Sequence, residues 1–434
     1  MSSQHLVDHL FRQRAGQLVA WLTRIFGPAH LDLAEEVVQD ALLKALQQWP
    51  YSGVPQNPGG WLFRVARNGA LDVLRRNAAF EARAHEIAGE LQRASGMQPP
   101  SDSAIEDDEL RMVFMCCHPS LAPDARVALS LKTVGGFSVP EIARAFLCPE
   151  PTIAQRLVRA KRVLREQRIG LELPHGSDLG ARTESVLEVI YLLFNEGYNA
   201  HAGEDLIRRD LCGEALRLGR LVAQSPHIVS GGITAGAPAA HALVALMAFQ
   251  AARLPARVDA GGDMVLLEDQ DRSLWDRALV ALGFAHFERS ADGPQMTVYH
   301  AQAAIAAVHA GAERAESTRW DRILSLYDDL MVLNPSPVIR LNRAVALSRV
   351  AGPAAALEVL QPLEDEPTLA NYYLLPSVTG RMYAELGDRD RAAACYRRAL
   401  ELPCSEPERR FLHRRLEALT GSFGTFGTFR DGKD

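Results

Sequence analysis

The sequence predicts an all-α protein assembled from several small helical domains. Three observations carry this expectation. Apolar residues recur at spacings of three and four along most of the chain, the period of helices with one buried face. Sustained alternation of apolar and polar residues, the mark of a half-buried strand, is missing. At 434 residues the chain also exceeds what one hydrophobic core comfortably organises, so two or three domains are expected.

Bulk composition is that of an ordinary globular protein, 47% hydrophobic and 23% charged, with a net charge of −6. This balance excludes a uniformly basic nucleic-acid binder, so any such role has to reside in local clusters. Met1–Arg14 lacks the basic-then-apolar pattern of a signal peptide. No run of about 18 apolar residues occurs; the richest stretch, Ala235–Ala252, is interrupted by Gly, Pro, His and Gln. A cytoplasmic protein without membrane contact is the expectation. The six cysteines form no CxxC pair, and Cys116-Cys117-His118 is the one cluster. Adjacent helical residues point about 100° apart, so buried reduced thiols are expected there and no metal site.

The first segment covers residues 5–77. Ala34, Val37, Val38, Ala41, Leu42, Ala45, Leu46 and Trp49 fall on one face of a long amphipathic helix, with Asp32, Glu35, Glu36, Gln39, Asp40 and Lys44 opposite. The Pro/Gly-rich stretch Tyr51–Gly60 should stop it. A second helix, Trp61–Arg76, carries four arginines against one acid. Arg64, Arg67, Asn68, Leu71 and Arg75 are expected along one face, with Trp61, Val65 and Leu74 anchoring it below. A basic stripe bordered by an aromatic ring suits phosphates and unstacked bases; a solvated arginine face is the plainer alternative. Gly69 should weaken this helix by about 1 kcal/mol relative to Ala.

Residues 78–104 lose the apolar period and read as a flexible linker, with Asp102, Glu106, Asp107, Asp108 and Glu109 crowded at its end. Over residues 105–170 a small helical domain follows. Ser138 as N-cap with Glu141 three positions on forms a capping box at the start of Phe137–Phe146. Leu147-Cys148-Pro149 is a tight turn. Glu150–Arg168, with six basic residues against two acidic, is a longer second helix. Helix, short turn and basic helix are the parts of a helix-turn-helix. Ile142, Ala143, Ile153, Leu157 and Val158 should make the inner contact, leaving Thr152, Gln155, Arg156 and Arg159 outside for bases and phosphates.

An acidic amphipathic helix, a basic helix with tryptophan, a linker and a helix-turn-helix, in that order, resemble the extracytoplasmic-function (ECF) sigma factors of the sigma-70 family. The resemblance covers about residues 5–168. It implies a region 2 bundle over 5–77 and a region 4 helix-turn-helix over 105–170. It implies that Asp32, Glu35, Glu36, Gln39 and Asp40 face the β′ clamp helices of core RNA polymerase. It implies that Asn57, Trp61, Arg64, Arg67, Asn68, Arg75 and Arg76 open and hold the −10 element of promoter DNA. Thr152, Gln155, Arg156, Arg159, Lys161 and Arg162 would read the −35 element, with the polymerase β flap as the second protein contact. Such a protein acts by binding and needs no cofactor. A helix-turn-helix repressor or activator with a sensing domain is the alternative, although it has no need of a −10-type helix.

A minimal member of that family would end near residue 170, yet a long extension follows. Residues 180–290 read as an irregular helical block. Tyr191–Tyr198 and Leu266–Asp276 within it resemble the group whose C-terminal extension is tetratricopeptide-like (the DUF6596 type). Asn195, Glu196, Tyr198, Asp269, Asp271, Arg272 and Trp275 form a candidate patch there, for the chain's own sigma domains, another protein or a ligand. A charged helix start with a core tryptophan is the plain reading of the second stretch. Over 291–420, a 34-residue tetratricopeptide period places small residues at two close-approach positions, Gly380 with Ala392 and Ala344 with Ala356. A weaker unit ends with Ile323, Tyr327, Leu330 and Pro335. The tail, 421–434, is expected to be disordered. Asn195, Glu196, His201, Asp205, Glu268, Asp269 and Asp271 could line an enzymatic pocket, but no HExxH, GxSxG, P-loop or dinucleotide fingerprint accompanies them.

Overall fold

The computed structural model describes residues 3–80, 102–146, 148–198, 209–230, 236–259, 261–293 and 295–420. Most of the expected linker, all of the expected tail, Leu147 in the expected turn, and His201 and Asp205 lie outside the described residues. Among those described, every regular element is a helix; one isolated bridge, Val258–Met264, is the exception. The chain divides into two compact units, 1–196 with 213–240, and 197–212 with 241–434. The first unit thus takes in part of the 180–290 block.

In the first unit, α1 (Ser3–Phe26), α2 (Leu31–Ser52) and α3 (Pro58–Phe80) form one bundle. Trp21 and Phe63 fill its centre with ring centroids 3.7 Å apart. Helix α2 runs past Trp49 and through Pro50 before Gly53, at φ 79°, ends it, so the loop to α3 is shorter than expected. Ala34, Val37, Val38, Ala41 and Ala45 are buried, whereas Leu46 is 57% exposed. Toward its C-terminal end the apolar stripe narrows to Ala45 and Trp49, and Leu46 lies off it. On α3, Leu71 belongs to the core at 5% exposure, not to the arginine face, because the buried stripe there is wide: Leu62, Phe63, Ala66, Ala70, Leu71 and Leu74.

A second bundle follows: α4 (Asp102–Cys116), α5 (Pro123–Thr133), α6 (Val139–Ala145) and α7 (Glu150–Glu166). Phe114, Leu129, Phe137, Ile142, Ile153 and Leu164 make its core. Both α4 and α5 pack on α1. Gly16 of α1 lies so close to α5's end that a Cβ there would sit 1.9 Å from the Val134 carbonyl oxygen. Only the absence of a side chain permits this approach.

The acids expected to close a solvated linker do not all face water. Asp108 and Glu109 are each 1% exposed in α4. Asp108 meets Arg24 of α1 at 3.1 Å, and burial, opposed by Arg24, raises its carboxyl to about 6. Glu109 meets Arg217 of α9 (Arg209–Gln224) at 2.7 Å, and Arg217 also holds Glu214 at 2.7 Å. Burial, opposed by the Arg217 charge, pushes the Glu109 carboxyl up. From α8 (Ser177–Tyr198), Arg182 donates to the Phe114 carbonyl at 2.7 Å. The start of the extension is therefore bonded into the second bundle. Cys116 and Cys117 are buried, and burial pushes both thiols up, Cys117 to about 11.

After the short α10 (Pro226–Ser230), α11 (Ala237–Ala252) leads into the second unit. The segment Ala237–Ala256 is long and apolar enough to cross a membrane, but 78% of it is buried within the protein, as a core helix would be. The second unit continues with α12 (Arg277–Ser290), α13 (Val298–Gly311), α14 (Trp320–Leu333), α15 (Pro337–Ala351), α16 (Pro353–Leu360), α17 (Leu374–Glu385), α18 (Arg389–Glu401) and α19 (Glu406–Thr420). From α12 onward, consecutive helices pack on one another. A Cβ on Gly380 would lie 3.2 Å from the Ala392 carbonyl, so the small residue lets α17 and α18 meet closely. Ala344, Ala356 and Leu360 share one buried cluster, and Ile323 and Leu330 another.

Candidate polymerase- and promoter-binding surfaces

Helix α2 presents its acids opposite the buried stripe, with Asp32 in the first turn where the helix dipole favours a negative charge. Glu36, Gln39 and Asp40 are exposed, and Leu43 beside them is 55% exposed. Asp32 and Glu35 are already engaged. Lys161 of α7 donates to Asp32 at 2.6 Å and to Glu35 at 2.8 Å. The Thr133 hydroxyl donates to Glu35 at 3.0 Å. Burial pulls the Lys161 ammonium down, but the Glu35 charge and the two bonds outweigh it and leave its pKa raised. Thus Lys161, expected at the −35 element, is held by two acids expected at the polymerase.

On α3 the arginine face is open to solvent, with Arg64, Asn68, Arg75 and Arg76 exposed. Arg67 is half-buried, lies 6.0 Å from the Phe63 ring and donates to Asn68. Asp72 draws on two of the charges, at 3.6 Å from Arg75 and through its carbonyl to Arg76. Trp61 packs edge-on against Trp49 at 5.5 Å and is half-buried. Asn57, expected to touch DNA, accepts the Gly60 amide at 2.7 Å, capping the first turn of α3. Gly69 lies against Val37 with room for a methyl group, 3.6 Å from it.

The helix-turn-helix forms as its local signals dictate. Ser138 and Glu141 close the capping box, with the Ser138 amide donating to Glu141 at 2.7 Å and the Glu141 amide to Ser138 at 3.3 Å. Ile153, Leu157, Ala160 and Leu164 are the buried stripe of α7. Val158 is 64% exposed because it falls about 100° from Leu157 around the helix. Of the residues expected to read DNA, Gln155, Arg159 and Arg162 are exposed and Thr152 is half-buried. Arg162 pairs loosely with Glu166 at 3.7 Å, and Arg156 is drawn to Asp124 at 3.3 Å.

Of the patch expected on the extension, Asn195 and Glu196 belong to the first unit and the remainder to the second. Asp269 and Asp271 are exposed, and Asp271 caps a short turn through the Ser273 amide at 2.9 Å. Tyr198 is buried beneath the Arg257 guanidinium, 3.9 Å from its ring. Arg272 and Trp275 point inward, at 8% and 4% exposure. The pairings Arg24–Asp108 and Glu109–Arg217 went unforeseen; an acid run at a helix start offers no sequence signal for its burial.

Comparisons with known proteins agree with this layout. Residues 10–80 match Sigma-70 region 2 and residues 111–164 match Sigma-70, region 4. Residues 182–291 match a family of unknown function (DUF6596). An uncharacterized protein of Rhizobium meliloti is 39% identical over 412 residues, 94% of this chain and 95% of that one. The ECF RNA polymerase sigma-E factor of Escherichia coli is 30% identical over 138 residues, 30% of this chain and 70% of the relative. The ECF RNA polymerase sigma factor SigE of Mycolicibacterium smegmatis is 26% identical over 162 residues, 37% of this chain and 60% of the relative. No solved structure matches. The two helical bundles of the first unit are thus those of a sigma-70-type transcription initiation factor, a class that acts by binding polymerase and DNA. Within that class the chain belongs to the ECF sigma factors, in a form extended by a DUF6596 region.

Proposed function

We propose that the protein directs core RNA polymerase to two-element promoters and that its own extension controls when it does so. The observation that carries promoter recognition is the solvent exposure of two basic helix faces, Arg64, Arg75 and Arg76 on α3 and Gln155, Arg159 and Arg162 on α7. With Asn68 and Trp61, the first face offers cations for phosphates and a ring for an unstacked base. The second enters a major groove in the manner of a recognition helix. Glu36, Gln39 and Asp40 are the part of the α2 face free to dock on a basic polymerase surface. Mixing the full chain with core polymerase and a suitable two-element template should yield transcripts; no association with core polymerase would sink the reading and favour a stand-alone repressor.

Control in cis is favoured by the Lys161 bonds to Asp32 and Glu35, which occupy one residue of the DNA-reading helix and two of the docking helix at once. The extension reaches the same bundle through Arg217 on Glu109 and Arg182 on the Phe114 carbonyl, both in α4. Cutting the chain near Arg168 would strip Glu109 of its guanidinium, and a buried carboxylate without its partner costs several kcal/mol. The triple substitution Glu109→Gln, Glu214→Gln and Arg217→Met removes the coupling without stranding a charge, since Arg217 holds both carboxylates. Polymerase binding unchanged in that variant would reject control through this contact.

A further inference from the structure

In the second unit, a cavity of about 220 Å³ lies between the stretch Leu266–Arg272, the end of α13 and helices α14 and α15, with Arg381 of α17 at one side. One wall is apolar and aromatic, made by Trp320, Ile323, Tyr327 and Val345. Arg272, His309 and Thr318 line the other.

The polar wall is built but incomplete. Arg272 donates to the His309 and Ala312 carbonyls, both at 2.6 Å, and to the Thr318 hydroxyl at 3.1 Å. These bonds lock its guanidinium in place without neutralising it. Its Nε is buried with no partner, as are the Nε of Arg253 and the Nδ1 of His309. Arg253 and Arg272 flank the same Trp275 ring, at 5.9 and 4.9 Å. Among the described residues no carboxylate lies within ion-pairing distance of either guanidinium, and the acid at the opposite rim, Glu268, is held by Arg349 and Arg381. Arg272 is a buried cation with no carboxylate in contact, Glu316 acting on it only from a distance, and a cation so placed is costly unless something supplies a closer counter-charge. An aromatic wall beside a fixed guanidinium and a hydroxyl is the composition of a small-molecule site with a few convergent polar groups.

We propose that this cavity binds a small carboxylate-bearing molecule with a single-ring apolar body. Its carboxylate meets Arg272 and Thr318, and its ring lies on Trp320 and Tyr327. The site stands independently of promoter recognition, since no residue in it belongs to the first unit.

The test titrates the full chain with benzoate, using benzamide as the uncharged match and inorganic phosphate as the ringless anion, and follows tryptophan fluorescence and thermal unfolding. A probe of this size should bind with a Kd of about 1 mM. At about ten times that concentration it should raise the transition of the second unit by roughly 3–6 °C. Benzamide and phosphate should bind at least about tenfold more weakly. Arg272→Met and the cavity-filling Val345→Phe should each abolish the response; should Arg272→Met fail to fold, Val345→Phe alone decides. The proposal is overturned by the absence of a saturable benzoate response, by an equal response to benzamide or phosphate, or by unchanged binding in the folded variants.

Discussion

Replacing Lys161 with Met removes the ammonium but keeps most of the stem, so it isolates the clasp between α7 and α2. The clasp has two unequal halves. Lys161 and Glu35 side chains are 13% and 12% exposed, whereas Asp32 is 64% exposed. The Asp32 half lies in high dielectric and contributes well under about 1 kcal/mol. The Glu35 half is a charged hydrogen bond away from water, of about 1.5–3 kcal/mol. Because the Thr133 hydroxyl stays on Glu35, the loss should fall near the lower end, about 2 kcal/mol in all. That shifts the balance between closed and open bundles by roughly 30-fold. Spin labels at the exposed Gln39 and Gln155 should show a new, longer distance population. Affinity for core polymerase, measured without DNA, should rise by up to that same 30-fold factor, because less of the protein is withheld from binding. A double-mutant cycle with Glu35→Gln should return a coupling of about 1–2 kcal/mol. A coupling within about 0.5 kcal/mol of zero would show that the pair holds nothing. A real coupling with unchanged polymerase affinity would show that it holds the bundles but gates nothing.

Three further outcomes are expected of the same structure. Gly16→Ala forces a methyl group toward a backbone oxygen that cannot swing aside, so the first unit should lose about 1–3 kcal/mol; an unaltered melting temperature would rule out so close a meeting of α1 and α5. Gly69→Ala meets only the Val37 side chain at ordinary contact distance and should gain about 0.5–1 kcal/mol of helix stability, read from chemical denaturation. Acidification should act oppositely on the two units. The Asp108 carboxyl, raised to about 6, binds its proton more tightly folded than unfolded, so it adds stability to the first unit as pH falls from about 6 toward 4, roughly 1 kcal/mol of it by pH 5. His309, held down to about 3 by burial and by Arg253 and Arg272, is harder to protonate folded than unfolded. Its unit therefore loses stability as pH falls below about 6.5, roughly 2 kcal/mol by pH 5. Calorimetry at pH 7 and 5 should show the two transitions shifting in opposite directions, with Asp108→Asn and His309→Gln each removing its own share.

What was legible in the sequence is what neighbours in sequence decide. The capping box of Ser138 and Glu141, the stripe Ile153–Leu157 and the close approach at Gly380 and Ala392 rest on spacings of three, four and twelve residues, and they form as the local pattern dictates. Errors arose where a choice of face turned on one position. Leu71 and Val158 each sit beside a residue of the neighbouring face, and a rotation of about 100° exchanges core for solvent. Wholly hidden were contacts between distant segments. Nothing local marks Asp108 as the partner of Arg24, or Gly16 as the point where α1 meets α5. The Leu266–Asp276 stretch shows the same limit: its acids do cap a turn, but the inward Arg272 becomes intelligible only once His309 and Thr318, some 40 residues on, are folded against it.

The clasp also constrains the order in which polymerase could open the protein. It masks Asp32 and Glu35 while Glu36, Gln39 and Asp40 stay exposed on the same helix. A basic polymerase surface can therefore gain a first hold before it competes with Lys161 for the remaining two acids. Each acid it wins frees the ammonium, which then belongs to a helix whose other cations, Arg159 and Arg162, already face solvent. If Lys161 reads DNA and its two acids dock on polymerase as proposed, release for polymerase and completion of the DNA-reading face become one event, because a single side chain serves both surfaces. On the proposed reading, promoter contact through α7 should strengthen when polymerase is bound, even if polymerase touches nothing in that helix. Linkage requires the converse with equal magnitude: −35 duplex should raise the polymerase affinity of the intact chain by the same factor. In Lys161→Met both effects should vanish together, and the loss of one without the other would separate the clasp from the coupling.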